Sequence, residues 1–287
     1  MTGILQNKVA VITGSSRGLG YAIAEVYARE GAKVIIASRT QKAVDEAVRK
    51  LRQNGAQAEG LACDVSDIQQ VEALAAFAVQ KFGGIDIWVN NAGLSAPYGP
   101  TAHIPSDDFL NVIQTNITGT YNGSVVALRY FAAQKSGKLI NLLGRGDGGS
   151  IPLQNAYSSS KVWVRNFTRV LAKEYANRGV DVFGFNPGLV KTDMLSNIHA
   201  ISGFENKLNP LRVVTMLWGN EADVPAQKAL WLASSASDGR NGMQVTILTV
   251  HFMISRLIQA VVGWMLQRPN EMIELNITSV EPEISGD

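Results

Sequence analysis

Short apolar segments alternate with amphipathic segments through the first two thirds of the chain, and this alternation restricts the fold more than any other feature. The apolar segments have the length of strands, and the segments between them carry apolar residues at helical spacing. Repeated β-α-β units require crossovers that cover the faces of a parallel sheet. The sequence therefore predicts an α/β fold with a single doubly wound parallel sheet. The predicted strands are Val9–Thr13, Lys33–Ala37, Gln57–Ala62, Ile85–Asn90, Lys138–Leu143 and Val180–Asn186, and the predicted helices include Gly20–Glu30, Lys42–Asn54 and Ile68–Phe82.

No linker rich in Pro or Gly divides the chain, so residues 1–250 are predicted to form one domain that ends in a strand at Gly242–Thr249. Residues 251–287 form an extension that begins with an apolar helix at Phe252–Gln267, interrupted by Arg256. The uncharged part of this helix is about half as long as a membrane span requires. We expect the extension to pack on the domain or on a partner subunit, with contact to a membrane surface as the alternative.

Composition narrows the function classes. The 287 residues are 46% hydrophobic and 17% charged, which allows a substantial core. The net charge of +2, without a polybasic run, gives no reason to expect a nucleic-acid partner. The single Cys63 and the polar start of the chain predict no disulfides, no signal peptide and a cytoplasmic location. His103, His199 and His251 lie far apart in the sequence, so no metal site is expected.

A glycine-rich turn follows the first predicted strand and precedes a helix. Glycines at this place let the backbone approach a pyrophosphate, whose charge the N-terminus of the helix then meets. Because the turn lies between a strand and a helix, the pattern predicts a dinucleotide site in a Rossmann-type fold. The residues predicted to line this site are Thr13, Gly14, Ser16, Arg17, Gly18, Leu19 and Gly20.

The end of the second predicted strand indicates which dinucleotide binds. An acidic residue usually grips the ribose hydroxyls of NAD there, and the segment Ile36–Thr40 contains no carboxylate. Ser38 can donate a hydrogen bond to a 2′-phosphate, and Arg39 offers a planar fork suited to the same group. Arg17 in the glycine-rich turn would add a second positive charge. NADP(H) is the predicted cofactor.

The ends of the third and fourth strands complete the predicted cofactor site. Asp64 and Val65 follow the third strand, where a carboxylate can accept a hydrogen bond from an adenine amine. Asn91, Ala92 and Gly93 follow the fourth strand, where amides can brace the sheet and the glycine leaves room for a ribose.

Tyr157 and Lys161 are four residues apart and share one face of a predicted helix. A tyrosine with a pKa near 10 is a weak base at neutral pH, and a neighbouring ammonium favours its phenolate. The pair therefore predicts a general acid/base whose pKa is brought towards the working range, with the lysine also able to hold a ribose.

These motifs occur together in a fixed order. They are Thr13–Gly20, Asn90–Gly93, Asn116, Tyr157 with Lys161, and Pro187-Gly188. The combination resembles the classical short-chain dehydrogenase/reductase family from about Lys8 to Val245. The resemblance implies that Tyr157 is the general acid/base, that Lys161 binds ribose and lowers the pKa of the tyrosine, and that Asn116 orders a proton-relay water.

The same resemblance implies hydride transfer between a nicotinamide and a carbonyl or alcohol carbon of a small-molecule substrate. It also implies a homodimer or homotetramer, paired through the helices that carry Asn116 and Tyr157. The residues expected to cover the nicotinamide are Pro187, Gly188, Val190 and Thr192.

The chain departs from the family pattern at Gly144. The family places its catalytic serine thirteen residues before the tyrosine, and that position here is Gly144. Backbone amides of the glycine-rich loop, or Ser150 if the loop folds back, could replace the missing hydroxyl. The loop is similar to one in chlorophyll b reductases, which implies a large, flat substrate. Leu195 begins an apolar segment predicted to form a lid over a hydrophobic substrate.

Two functions remain open at this point. The first is an NADP(H)-dependent reductase that uses Asn116, Tyr157 and Lys161 on an apolar carbonyl or alkene-conjugated substrate, with a bulky cyclic compound as one candidate. The second is a catalytically impaired NADP(H)-binding scaffold or redox sensor of the same fold, in which the serine position has been lost.

Overall fold

The computed structural model describes residues 3–149, 151–266 and 274–283 of the chain. Its strands, in chain order, are β1 (Val9–Thr13), β2 (Lys33–Ser38), β3 (Ala58–Ala62), β4 (Ile87–Asn90), β5 (Gly137–Leu142), β6 (Val180–Asn186), β7 (Leu189–Val190), β8 (Asn197–Ile201), β9 (Gly219–Asn220), β10 (Gln244–Thr246) and β11 (Asn276–Val280). Its α-helices are α1 (Gly18–Arg29), α2 (Gln41–Gln53), α3 (Ile68–Phe82), α4 (Ser106–Val112), α5 (Gly119–Gln134), α6 (Asn155–Glu174), α7 (Asp193–Ser196), α8 (Asn209–Trp218), α9 (Asp223–Ala233) and α10 (Val250–Met265).

Seven strands form the central sheet in the order β3-β2-β1-β4-β5-β6-β10, and every pair is parallel. The strand order reverses between β1 and β4, which is where a doubly wound sheet opens a crevice at the carboxyl ends of its strands. The predicted fold class, a Rossmann-type sheet with a helical C-terminal part, is confirmed.

The two faces of the sheet are covered by two separate apolar clusters. Tyr27 of α1 and residues of α2 and α9 pack on one face, and Trp88 and Phe131 pack on the other. All five residues of β1 are buried, because helices cover both faces of this central strand. The sequence predicted this pattern from the continuous apolar run Val9–Thr13.

Helix α3 shows how local sequence sets the ends of an element. The side chain of Asp67 accepts a hydrogen bond of 2.9 Å from the backbone N–H of Gln69, which satisfies one free donor of the first turn. The helix ends at Gly83, whose φ of +88° is left-handed and favours glycine.

The chain after β6 differs from the prediction. The expected strand Gly242–Thr249 is shorter, and only β10 pairs with the sheet. Helix α10 starts two residues before the predicted Phe252, and the predicted end at Gln267 lies outside the described residues. No helix in the described part of the chain is long and apolar enough to cross a membrane.

Two small parallel sheets lie outside the central one. Strand β7 pairs with β9, and β8 pairs with β11 over five residues. Helix α10 is held near β9 and α8, because Trp218 Nε1 donates to the Met253 carbonyl at 3.2 Å and Arg256 donates to Asn220 Oδ1 at 3.2 Å. The sequence did not predict the pairing of β8 with β11.

Candidate active site

The glycine-rich turn between β1 and α1 is fixed by contacts with the end of β4. Gly14 and Gly18 have φ values of +62° and +59°, which explains why glycine occupies both positions. The side-chain amide of Asn91 donates to the carbonyls of Thr13 (2.9 Å) and Gly14 (3.0 Å). A Cβ on Gly20 would overlap the Gly14 carbonyl and the Asn91 amide. The turn is therefore a rigid cradle.

Thr13 connects the glycine-rich turn to the residues that follow β4. Its hydroxyl accepts hydrogen bonds from the backbone N–H groups of Asn91 and Ala92, both at 3.1 Å. Gly93 comes next, and a Cβ there would lie 3.5 Å from Asn116 Oδ1 and 3.7 Å from Lys161 Nζ. The segment predicted to pass a ribose thus leads directly to two of the predicted catalytic residues.

Asn90 braces the sheet beneath this crevice. Its side-chain amide donates to Asn141 Oδ1 at 2.8 Å and to Ser124 Oγ at 3.1 Å, and its carbonyl oxygen accepts from Trp88 Nε1 at 2.8 Å. Gly123 is required opposite this group, because a Cβ there would overlap Asn90 Oδ1. The carboxyl ends of β4 and β5 are consequently locked to α5.

At the end of β2, Ser38 Oγ is buried and has no hydrogen-bond partner among the described residues. Arg39 follows it and is exposed. A buried hydroxyl without a protein partner is unfavourable unless a ligand or an ordered water satisfies it. The residues predicted to bind a 2′-phosphate therefore include an available hydroxyl and an adjacent guanidinium.

Arg17 does not lie free beside this pair. Its guanidinium forms a 3.2 Å ion pair with Asp193 Oδ2, which links the glycine-rich turn to the start of α7. Thr192 also closes on the turn, since a Cβ on Gly18 would lie 3.5 Å from Thr192 Cγ2. The segment after β6 thus covers the mouth of the cradle, and Asp193 was not among the predicted site residues.

Asp64 and Val65 lie beyond the end of β3. The carboxylate of Asp64 accepts hydrogen bonds from the Ser66 backbone N–H at 2.9 Å and from the Ser66 hydroxyl at 2.7 Å. The Val65 carbonyl accepts from the Asn122 amide at 2.9 Å. These bonds hold the loop where an adenine was predicted to contact Asp64.

Tyr157 and Lys161 lie one turn apart on α6. Lys161 Nζ is 5.6 Å from the centroid of the Tyr157 ring and donates a 3.0 Å hydrogen bond to the Leu142 carbonyl at the end of β5. Only 4% of Lys161 is exposed. The ammonium group is therefore held between the tyrosine, the end of β5 and Gly93.

The two pKa values move in opposite directions. Burial, with a smaller contribution from Asp147, raises the pKa of Tyr157 to about 12. Burial also lowers the pKa of Lys161 to about 8, and Asp147 opposes that shift. The expected lowering of the tyrosine pKa was wrong for these residues alone, because burial and the Asp147 carboxylate both raise it. A phenol with this pKa is protonated at neutral pH and can act as a proton donor.

Asn116 lies within a π-helical segment, Ile113–Thr118, that joins α4 to α5. It is fully buried, and its amide donates to the Leu94 carbonyl and to Ser160 Oγ, both at 3.0 Å. Its carbonyl oxygen accepts from the Leu94 backbone N–H at 2.8 Å. A π-helical turn widens the backbone locally and is frequent at functional sites.

Gly144 lies directly against the catalytic candidate. Its carbonyl accepts a 3.1 Å hydrogen bond from the Asn186 amide and another of 3.1 Å from the Asp147 backbone N–H. A Cβ on Gly144 would overlap the Tyr157 hydroxyl and lie 3.1 Å from Tyr157 Cζ. The other proposed replacement for a serine hydroxyl, Ser150, lies outside the described residues.

Asp147 is a charged group of the site that the sequence did not assign a role. Only 12% of its side chain is exposed, and it forms a 3.4 Å ion pair with Arg165, one turn beyond Lys161 on α6. Gly146 has a φ of +89° and lies close to Ser158, so the loop is pressed onto the helix. The carboxylate therefore sits over the helix face that carries Tyr157 and Lys161.

The segment after β6 supplies the remaining predicted residues. After Pro187, Gly188 has a φ of +71° and donates its backbone N–H to Asn186 Oδ1 at 2.9 Å. Val190 belongs to β7, and Leu195 belongs to α7 and is partly buried against a small apolar cluster. This segment contacts the glycine-rich turn through Thr192, which lies near Gly18, and the end of β5 through Asn186, whose side-chain amide donates to the Gly144 carbonyl.

Comparisons with known proteins identify relatives of this chain. A family model described as short chain dehydrogenase matches residues 8–201. Among curated proteins, the chain is 34% identical over 232 residues to 3beta-hydroxysteroid dehydrogenase 1 of Eggerthella lenta, covering 80% of this chain and 88% of that protein. It is 35% identical over 204 residues to a chloroplastic protein of Arabidopsis thaliana named probable chlorophyll(ide) b reductase. That match covers 64% of this chain and 41% of the relative, so the chain spans less than half of it.

Solved structures of dehydrogenases and reductases share the fold of this chain. A gluconate 5-dehydrogenase from Burkholderia cenocepacia, in complex with NADP and tartrate, superimposes with a TM-score of 0.76 at 29% identity, covering 85% of this chain and 94% of that one. A 3-ketoacyl-(acyl-carrier-protein) reductase from Brucella melitensis, complexed with NADH, has a TM-score of 0.75 at 27% identity, covering 85% and 97%.

Fold, crevice and family match define the class of protein to which the chain belongs: it is an α/β oxidoreductase. More narrowly, the chain is a member of the short-chain dehydrogenase family.

Proposed function

We propose that this protein is an NADP(H)-dependent reductase that adds a hydride to the carbonyl carbon of an apolar, bulky cyclic substrate, with Tyr157 as the proton donor. The observation that carries the proposal is the convergence of Tyr157, Lys161 and Asn116 beside Gly93. Lys161 is 5.6 Å from the tyrosine ring, and Gly93 faces both Lys161 and Asn116. A scaffold that only held a nucleotide would not need these three side chains together.

The residues of the crevice fit a nicotinamide dinucleotide. The glycine-rich turn has glycine at positions 14, 18 and 20, and the buried Ser38 hydroxyl has no partner among the described residues. When bound, the nicotinamide ring supplies the hydride. Ser38 and Arg39 would hold the 2′-phosphate, and Lys161 would donate to the nicotinamide ribose.

The protonation states of this chain's own groups suit a proton donor beside a cation. Because the pKa of Tyr157 is raised to about 12, its hydroxyl carries a proton at neutral pH and can donate it to the oxygen on which negative charge develops. The Lys161 ammonium, buried beside it, stabilises the phenolate left behind. Asn116 would hold the proton-relay water, as the family resemblance implies.

The substrate side of the crevice is apolar. Leu195, Ile198 and Tyr98 are partly buried in one cluster and still offer apolar surface. Relatives whose names refer to a steroid and to chlorophyll(ide) act on fused or macrocyclic rings, which supports a bulky cyclic substrate here.

We further propose a cytoplasmic homodimer or homotetramer that pairs through α5 and α6. These helices expose Tyr121, Val162 and Val170 to solvent in a single chain. Apolar side chains on adjacent helices are the composition expected of a subunit interface. Size-exclusion chromatography with light scattering tests this part of the proposal.

Oxidation of NADPH, followed for the wild type and for Tyr157→Phe with ketones, quinones and extended cyclic carbonyls, tests the function. We expect turnover of at least one bulky carbonyl, a loss of a hundredfold or more in Tyr157→Phe, and NADPH binding that the substitution leaves intact. Equal turnover in both proteins would exclude Tyr157 as the proton donor.

The glycine at position 144, where the family has its catalytic serine, supports a second candidate function. This chain lacks the serine hydroxyl. If it binds NADPH tightly but reduces none of these carbonyls, it is instead a cofactor-binding scaffold or redox sensor. In that case Tyr157→Phe would leave its response to NADPH unchanged.

A further inference from the structure

Strand β11 follows the last strand of the central sheet in the chain, after helix α10. It nevertheless pairs with β8, which comes much earlier in the chain. It pairs with β8 in parallel over five residues, with Ile277 opposite Ile198 and Val280 opposite Ile201. The pairing continues past the strands, because the Ser202 backbone N–H donates to the Val280 carbonyl at 2.9 Å. Residues on directly opposite positions place their side chains on the same face.

The other edge of β8 is connected to the residues that precede Tyr157. The Tyr98 backbone N–H donates to the His199 carbonyl at 2.8 Å, and the Ile201 N–H donates to the Tyr98 carbonyl at 3.0 Å. The Gly99 N–H then donates to the Leu153 carbonyl at 2.9 Å. A continuous layer of backbone hydrogen bonds therefore runs from β11 through β8 and Tyr98 to the segment just before the catalytic candidate.

Side chains from this layer form a separate apolar cluster. Its buried members are Ala200, Leu208, Leu211 and Leu275, and its partly buried members are Tyr98, Leu195, Ile198 and Ile277. The partly buried members come from the segment after β4 (Tyr98), from α7 (Leu195), from β8 (Ile198) and from β11 (Ile277). They present apolar surface that the described residues do not fully cover.

The end of the C-terminal segment is also attached. The Glu283 backbone N–H donates to the His103 carbonyl at 3.1 Å, and the Glu283 carboxylate accepts from the Ser106 backbone N–H. The Ser279 hydroxyl donates to Glu205 Oε1 at 2.6 Å. These bonds fix the segment at both the α4 side and the α8 side of the cluster.

We propose that residues 274–283 form one wall of the substrate site and that Ile277, with Tyr98, Leu195 and Ile198, binds the apolar ring system of the substrate. This inference rests on the proposed function, whose hydride acceptor would lie beside Tyr157. The wall favours rigid, fused-ring carbonyls, because a large apolar ligand buries more of the surface that Ile277 and its neighbours leave partly exposed than a small ligand does.

The equilibrium affinity for a cyclic ligand measures the contribution of Ile277 directly and does not depend on turnover. A steroid ketone and diacetyl are titrated into the wild type, Ile277→Ala and Thr278→Ala, with and without NADP+. Thr278 is the matched control, because it is the exposed neighbour on the same strand and its side chain points to the opposite face. We expect Ile277→Ala to weaken steroid binding about fivefold or more, while diacetyl binding and all values for Thr278→Ala stay within about twofold.

Hydrogen exchange of the wild type provides a second measurement that requires no variant. The steroid ketone should slow amide exchange in residues 197–201 and 276–280. Equal steroid affinity in Ile277→Ala and Thr278→Ala, unchanged exchange in these two segments, or a wild type that binds the steroid no better than diacetyl would each overturn the inference. A different result would overturn the proposed function alone: the wild type binds the steroid as expected, but none of the tested carbonyls supports oxidation of NADPH.

Discussion

The hydroxyl of Tyr157 occupies the space in which any side chain at Gly144 would begin. A Cβ at position 144 would overlap this oxygen and would lie 3.4 Å from Lys161 Cε. The glycine therefore does more than omit a serine: it makes room for the tyrosine hydroxyl at the end of β5. A serine at position 144 would therefore require either the Tyr157 side chain or the loop at Gly144 to move.

Gly144→Ser should consequently lower activity rather than increase it. The new Cβ would displace the Tyr157 hydroxyl, and a displacement of about 1 Å can cost up to about a hundredfold in rate. Gly144→Ala should be equally impaired, since the steric conflict is the same. The measurement is kcat for reduction of whichever carbonyl is turned over. Gly149→Ala is the control, because a Cβ there meets nothing within 4 Å. A serine variant faster than the wild type would refute the steric explanation.

Ser38→Asp should reverse the choice of cofactor. A carboxylate at the end of β2 would repel a 2′-phosphate and could accept hydrogen bonds from ribose hydroxyls. We expect kcat/KM with NADPH to fall by about a hundredfold and the preference to move to NADH. Ser38→Ala, which adds no charge, should weaken NADPH use only several-fold. If the wild type already prefers NADH, the assignment of the 2′-phosphate site is wrong.

Asp147→Asn should shift the pH dependence of reduction. The carboxylate raises the pKa of both Tyr157 and Lys161, so its removal lowers both. Activity that needs a protonated phenol and an ammonium is present below their pKa values and is lost as the pH rises through them. The alkaline limb of kcat should therefore move to lower pH in the variant, measured between about pH 6 and pH 10.

The control for this shift is Asp45→Asn, on the exposed face of α2, which should leave the profile of the wild type unchanged. An alkaline limb that stays in place in Asp147→Asn would mean that the carboxylate acts only on the loop, through its ion pair with Arg165.

Asp193→Asn should strengthen NADPH binding. The substitution releases Arg17 from its ion pair and leaves the guanidinium able to face the phosphates of the cofactor. Both side chains of the pair are mostly exposed, so we expect no change in melting temperature. The Kd for NADPH, measured by fluorescence titration, should fall about two- to threefold. The gain should disappear in the double variant with Arg17→Ala. A weaker Kd in Asp193→Asn would instead show that the ion pair holds the segment closed over the cofactor.

Much of this molecule could be predicted from the sequence, for a physical reason. The parallel sheet was predictable because its central strands β1, β2 and β4 are largely apolar runs. The cofactor turn was predictable because Gly14 and Gly18 need left-handed backbone. The pKa of Tyr157 was not predictable, since it depends on how deeply α6 is buried and on where Asp147 lies in space.

The pairing of β8 with β11 was also beyond the sequence. Both strands contain alternating residues, Asn197-Ile198 and Asn276-Ile277, but nothing in a short strand identifies a partner so far along the chain. Asp193 could have been found as an acidic residue in the first turn of a helix near the cofactor turn. Its partner Arg17 is instead predicted from the sequence to face the phosphate.

The position of β11 has a consequence for biosynthesis. The strands that carry the cofactor turn and the tyrosine leave the ribosome well before β11, and domains tend to fold from the N-terminal side as they are made. A nascent chain could therefore bind its nucleotide while the layer around Ile277 is still missing. Selectivity for a substrate would be the last property that the protein acquires.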